Sequence, residues 1–136
     1  MFQSKVSKLF DIKRGTKQGD PLSPSLFNAV LEHALAPVKQ KWARRGAGIK
    51  FFHGKDSLLN NLRFADDVIL VAQSKKKLVN MLLDLKQAAQ NVGLTLHMGK
   101  TKILTNEFAR RAQHKDSVTI AGDNIEIMHG EAAAMY

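Results

Sequence analysis

Between Leu62 and Val71 the chain reads Leu-Arg-Phe-Ala-Asp-Asp-Val-Ile-Leu-Val, two carboxylates set between two apolar runs. Each run has the length of a strand, and Asp is disfavoured inside strands and favoured in tight turns. The stretch therefore predicts a β-hairpin with Asp66 and Asp67 at its tip. Neighbouring carboxylates repel each other, and a cation between them relieves that repulsion. Hard oxygen donors of this kind suit Mg²⁺, which takes one or two protein carboxylates and completes its shell with water and phosphate oxygens. For an isolated Asp-Asp pair, a solvated turn that merely interrupts two strands is the commoner outcome, so the rest of the chain has to decide.

Upstream lies Arg14-Gly-Thr-Lys-Gln-Gly-Asp-Pro-Leu-Ser-Pro24. Two Gly and two Pro in eleven residues exclude a regular helix or central strand and predict a structured loop. Gly15 and Gly19 permit positive φ or the close approach of a ligand. Ser23 as N-cap with Pro24 at the first helical position starts a helix. Its apolar face is Leu26, Phe27, Val30, Leu31, Ala34, Leu35, Val38 and Trp42, with a kink or split expected near Ala36 because of Pro37. Lys39, Lys41, Arg44 and Arg45 suit the carbonyl end of that helix, and Gly46 terminates it. Ile49 to Phe52 and Leu58 to Ala65 predict two strands, and Val68 to Ala72 a third.

Ser74 caps a second helix with apolar Leu78, Leu82, Leu85, Ala89 and Val92, closed by Gly93. Lys75, Lys76 and Lys77 crowd its first turn against the helix dipole. An anionic ligand would explain them, and so would a solvated face. Leu94 to His97 alternates like a strand, Lys100 to Leu104 starts another, and Val118 to Ile127 predicts a closing hairpin around Gly122-Asp123-Asn124. The order implies one α+β domain over residues 1–136, an antiparallel sheet with helices packed on one face.

Composition narrows the partner. The chain has 21 Lys and Arg against 12 Asp and Glu, a net +9, with all 21 cations and 8 of the acids before residue 116. A body carrying +13 favours a polyanion, nucleic acid being the commonest. The absence of cysteine removes disulfides, thiolate zinc sites and cysteine nucleophiles. No run of about 18 apolar residues suggests a membrane span, and the first residues lack the apolar core of a secretory signal.

Taken together, three segments resemble the palm of a reverse transcriptase, an RNA-directed DNA polymerase, of the non-LTR retrotransposon and group II intron type. Arg14-Gly15-x-x-Gln18-Gly19-Asp20-Pro21-Leu22-Ser23-Pro24 is similar to the family's second conserved motif, Phe64-Ala65-Asp66-Asp67 to its catalytic hairpin, and Gly93-Leu94-x-Leu96-x-x-x-Lys100-Thr101-Lys102 to the motif that follows. They occur in the family's order. The resemblance implies two-metal nucleotidyl transfer with Mg²⁺, an RNA template, a DNA primer and deoxynucleoside triphosphates. It makes Asp66 and Asp67 metal ligands and catalytic residues. Lys100 would protonate the leaving pyrophosphate, and Arg14, Gln18, Gly19 and Lys102 would contact nucleotide or template.

Some positions depart from the pattern. The family's first metal-binding Asp, in an Ala-Phe-Asp context, has no counterpart, because Asp11 is too close to Arg14. His97 stands where relatives carry Asn, and Phe64 where Tyr is commoner. Ala134-Met135-Tyr136 resembles entry into the primer grip. The expectation is a palm section without fingers, first catalytic Asp or thumb, inactive by itself. A non-catalytic basic nucleic-acid-binding module, or a degenerate retroelement remnant, is the alternative.

Overall fold

The computed structural model describes residue 15 and residues 19–50, 58–105 and 117–129. Two helices form its centre. α1 runs over Ser23–Arg44 and α2 over Lys75–Asn91. Trp42 and Lys41 of α1 meet Asp84 of α2, while Lys77 near the start of α2 donates to the Gly46 carbonyl just past the end of α1. The two helices are therefore antiparallel.

The start of α1 is set by Asp20 rather than by Ser23. The Asp20 carboxylate accepts the Leu22 N–H at 2.9 Å and its carbonyl accepts the Ser23 N–H at 3.1 Å, which satisfies donors that a helix start leaves open. Pro37 does not split α1. Leu31, Ala34 and Leu35 before it and Trp42 after it are all buried, and this shared core keeps the helix continuous although Pro37 cannot donate to His33. Ser74 caps α2 as expected, its hydroxyl accepting the Lys77 N–H, and Gly93 follows the helix at φ +78°.

Strands β1 (Ile49–Lys50) and β2 (Leu58–Leu59) pair antiparallel, as do β3 (Asn61–Phe64) and β4 (Asp67–Leu70). β5 (Lys102–Thr105), β6 (Ser117–Ile120) and β7 (Asp123–His129) form a third sheet in the order β5-β7-β6. The β6–β7 hairpin turns through Ala121 and Gly122 at φ +51° and +88°, the left-handed pair that two-residue hairpins favour. β5 joins β7 in parallel, so the α+β layout contains mixed as well as antiparallel pairing. Leu94 and Leu96 alternate inward without joining a ladder, and a single 3-10 turn, Met98–Lys100, leads into β5.

Two cores meet along α2. One gathers Leu31, Leu35, Trp42, Ala47, Met81 and Leu85, with Val68 and Leu70 of the hairpin packed against it. The other joins Leu82 and Met98 to Ile103, Ile120, Ile125 and Ile127 of the third sheet. Leu70 and Leu96 touch both. Gly48 marks where the chain passes closest to itself. A Cβ there would lie 2.7 Å from the Leu59 carbonyl oxygen, at φ +130°, so only glycine fits.

Candidate active site

The β3–β4 hairpin has the register Phe64↔Asp67 and Leu62↔Ile69, leaving Ala65 and Asp66 as its turn. Asp66 thus occupies the apex, whereas Asp67, expected beside it at the tip, is the first position of the returning strand because it pairs with Phe64 and the turn takes in Ala65 instead. Ala65 takes φ +53°, a left-handed conformation that costs a side-chain-bearing residue roughly 1–2 kcal/mol. Ala121 takes the same conformation in the β6–β7 hairpin, so the positive φ is what a two-residue turn requires.

Alternation explains what the hairpin presents. Val68 and Leu70 face the helices. Leu62, Phe64, Asp67 and Ile69 share the opposite face, and there Phe64 is 83% exposed and Ile69 59%. Both carboxylates are exposed, and neither forms a hydrogen bond or ion pair with another described residue. The hairpin edges are also open: neither β3 nor β4 pairs with a third strand among the described residues.

Two contacts hold the hairpin in place. Arg63 donates to Glu32 of α1, which also pairs with Lys39, so one carboxylate ties the hairpin to the helix. The Lys39 hydrogen bond, followed by that of Arg63, keeps the Glu32 carboxyl below the usual carboxylate value. At the hairpin base, the Val71 N–H donates to the Asn60 carbonyl at 2.9 Å, and Asn60 is the one buried polar side chain among the described residues. Sequence spacing gave no hint of Glu32 or Asn60. Their partners lie 31 and 11 positions away in the chain, and nothing local marks them.

The other sequence-derived residues distribute as follows. Gly19 takes φ +88° beside open space, so its role is backbone conformation rather than tight packing. Lys100 ends the 3-10 turn, exposed, with its side chain bonded to no described residue. No hydrogen bond or ion pair links it to Asp66 or Asp67; the shared link between the 3-10 turn and the hairpin is the apolar layer through Leu70 and Leu96. Lys102 pairs with Glu126 at 3.1 Å across β5 and β7. Arg14 and Gln18 lie outside the described residues, as does the Ala134-Met135-Tyr136 segment.

Chemically, the apex offers two hard oxygen donors on an exposed edge, with an aromatic ring beside them. Among the described residues no group of three or more His, Cys, Asp or Glu could enclose a metal ion. The donor set suits a divalent cation held on one side and shared with oxygens from a phosphate. A groove of about 430 Å³ lies instead between α1 and α2 and is lined by residues such as His33, Pro37 and Gln87. Neither Asp66 nor Asp67 borders it.

The family model described as reverse transcriptase (RNA-dependent DNA polymerase) matches residues 2–125. A transposon-derived protein of Caenorhabditis elegans is 47% identical over 51 residues, 38% of this chain and 18% of its own length. A retrovirus-related Pol polyprotein from a type-1 retrotransposable element R2 of Popillia japonica is 36% identical over 90 residues, covering 66% of this chain and 12% of its own. The corresponding polyprotein from the type-2 element R2DM of Drosophila melanogaster is 35% identical over 94 residues, 69% of this chain and 8% of its own. The chain thus spans less than a fifth of the length of each of these relatives. No solved structure matches it.

Proposed function

This chain belongs to the reverse transcriptase (RNA-dependent DNA polymerase) family, and from that membership we propose that the β3–β4 hairpin is the carboxylate-bearing edge of a nucleotidyl-transfer site. One observation carries the reading: two exposed carboxylates at the hairpin turn, free of internal partners among the described residues, on an edge buttressed by α1. A surface built only for stability gains nothing from adjacent unpaired anions, whereas a metal-binding edge requires them unpaired and accessible.

In this reading Asp66 and Asp67 would hold magnesium. The bound cation would neutralise charge that builds on the phosphoryl group in transfer from a deoxynucleoside triphosphate to a primer 3′-hydroxyl. Phe64, on the same face as Asp67, offers an aromatic platform for a base or sugar. Lys100, bonded to no described residue, is available to deliver a proton to departing pyrophosphate. Lys102 is engaged with Glu126 in an exposed pair, which a phosphate of the RNA template or DNA primer can displace at little cost. Gly19 would let the loop backbone approach the nucleotide, and Arg14 and Gln18 keep the template and nucleotide roles that the motif resemblance gives them.

The reading makes residues 1–136 the palm section of a polymerase and expects a third carboxylate from an Ala-Phe-Asp segment laid along the open hairpin edge. The test is primer extension on an RNA template with Mg²⁺. The chain alone should give no product. Fusion to a segment bearing that motif should restore extension, and Asp66→Ala should abolish it. Extension by the chain alone would overturn the two-carboxylate limit. Restored extension that survives Asp66→Ala would overturn the hairpin assignment and favour a binding-only module.

A further inference from the structure

Half of the cations of the described residues are matched to acids, and the unmatched ones, Lys100 apart, lie on segments that meet at one end. Lys39 and Arg63 pair with Glu32, Lys41 and Arg45 with Asp84, Lys86 with Asp123, and Lys102 with Glu126. Arg44, Lys50, Lys75, Lys76 and Lys77 have no acidic partner among those residues, and apart from Lys100 they are the described Lys and Arg of which this is true.

The segments that bear these five meet. Gly46, two residues beyond Arg44, accepts at its carbonyl from the Lys77 ammonium at 2.9 Å and from the Gln73 amide at 3.1 Å. The Gly48 N–H donates back to Gln73, which brings the chain leading to Lys50 against the start of α2. Lys77 is thereby explained as a cap on the carbonyl end of α1. The dipole of α1 also accounts for the favourable placement of Arg44. Neither account reaches Lys75 and Lys76, which are exposed in the first turn of α2, where a helix dipole repels cations and no acid compensates them. This end lies at the base of the hairpin, about 15 Å along its strands from the Asp66 apex at the usual rise of a strand.

We infer that the end where α1 stops and α2 starts is a second docking surface, carried by Arg44, Lys50, Lys75 and Lys76, for the phosphate backbone of a nucleic acid. The inference rests on the polymerase reading for its choice of polyanion. An anionic membrane would want large apolar side chains among the cations, and among the described residues Ile49 alone of the exposed ones neighbours a residue of this set in sequence. A backbone engaged here would run along the body while its reactive end lay at the hairpin. That gives the body of the protein a grip on template that needs no metal.

The experiment is fluorescence anisotropy of a labelled 20-nucleotide oligouridylate with the 136-residue chain, in EDTA, from 0.05 to 0.4 M salt. The variant replaces Arg44, Lys50, Lys75 and Lys76 by Gln, with circular dichroism to verify the fold. Each phosphate that is no longer neutralised should take about 0.7 from the slope of log affinity against log salt. Two engaged cations then correspond to a ~25-fold weaker affinity at 0.1 M salt and four to a ~600-fold weaker one. The charge-keeping set Arg44→Lys, Lys50→Arg, Lys75→Arg and Lys76→Arg should bind as the unmodified chain does.

A weakening of under about threefold with unchanged slope overturns the inference, as does absence of RNA binding by the unmodified chain. So does binding to phosphatidylserine vesicles that the Gln variant loses while its RNA affinity stays intact. Failure of the hairpin assignment is read separately, from primer extension.

Discussion

Asp84 should be the most informative single position for the stability of this fold. Trp42, the one tryptophan of the chain, is 1% exposed, and its indole N–H donates to Asp84 Oδ2 at 3.1 Å. The other oxygen faces Lys41, and Arg45 stands at 3.7 Å. Asp84→Ala removes a charged acceptor from a buried donor, a loss of about 1.5–3 kcal/mol. The half-exposed cations add little, because exposed pairs contribute about 0–1 kcal/mol. Asp84→Asn keeps an acceptor for the indole and gives up mainly the charge, so it should cost about 1 kcal/mol. Urea denaturation followed by Trp42 fluorescence reads the difference directly. With a slope near 2 kcal/mol per molar, the midpoint should fall by about 1–1.5 M for Ala and about 0.5 M for Asn. Equal shifts for the two variants would mean that the indole bond contributes nothing, and the account of how α1 meets α2 would fail.

Two further outcomes follow from the geometry that places the hairpin. Gly48→Ala forces a Cβ to 2.7 Å from a carbonyl oxygen at φ +130°, so it should lower the urea midpoint by more than 1 M, corresponding to a loss of roughly 2–3 kcal/mol. Ala substituted at the open Gly46 or Gly122 meets no atom within 4 Å and should cost less. The Glu32 carboxyl is held below its ordinary value of 4.5 by Lys39 and then Arg63. Its contribution is therefore present above pH 4.5 and lost as pH falls through the lower folded value. The stability gap between the unmodified chain and Glu32→Gln, measured by urea melts from pH 7 to 3, should be open at pH 7 and close only below 4.5. A gap that does not change over that range would remove Glu32 from the hairpin's support.

Local chemistry determined a good deal. Apolar spacing located both helices, because a 3.6-residue repeat buries one stripe whatever the partner. The hairpin around Asp66 and Asp67, the Ser74 cap and the closing hairpin were readable for the same reason: each depends on residues a few positions apart. The closing turn itself falls at Ala121 and Gly122 rather than at Gly122-Asp123-Asn124, because Asp123 and Asn124 already pair with Ile120 and Thr119. Tertiary structure decided what depends on distant residues. Residue type pointed to Ser23 as the cap of α1, but Leu22 stands at that position without a side-chain cap and Asp20 supports its N–H from outside the helix. Pro37 promised a break, which core burial on both sides prevents. Leu94 to His97 has the alternation of a strand but no neighbour to pair with among the described residues. β5 meets β7 in parallel, and a strand's own residues carry no mark of the direction in which its partner runs. Glu32 gripping Arg63, and the gathering of unmatched cations at the base of the hairpin, came from side chains tens of residues apart. Periodicity reports which face of an element is apolar; only packing fixes which charge ends up beside which.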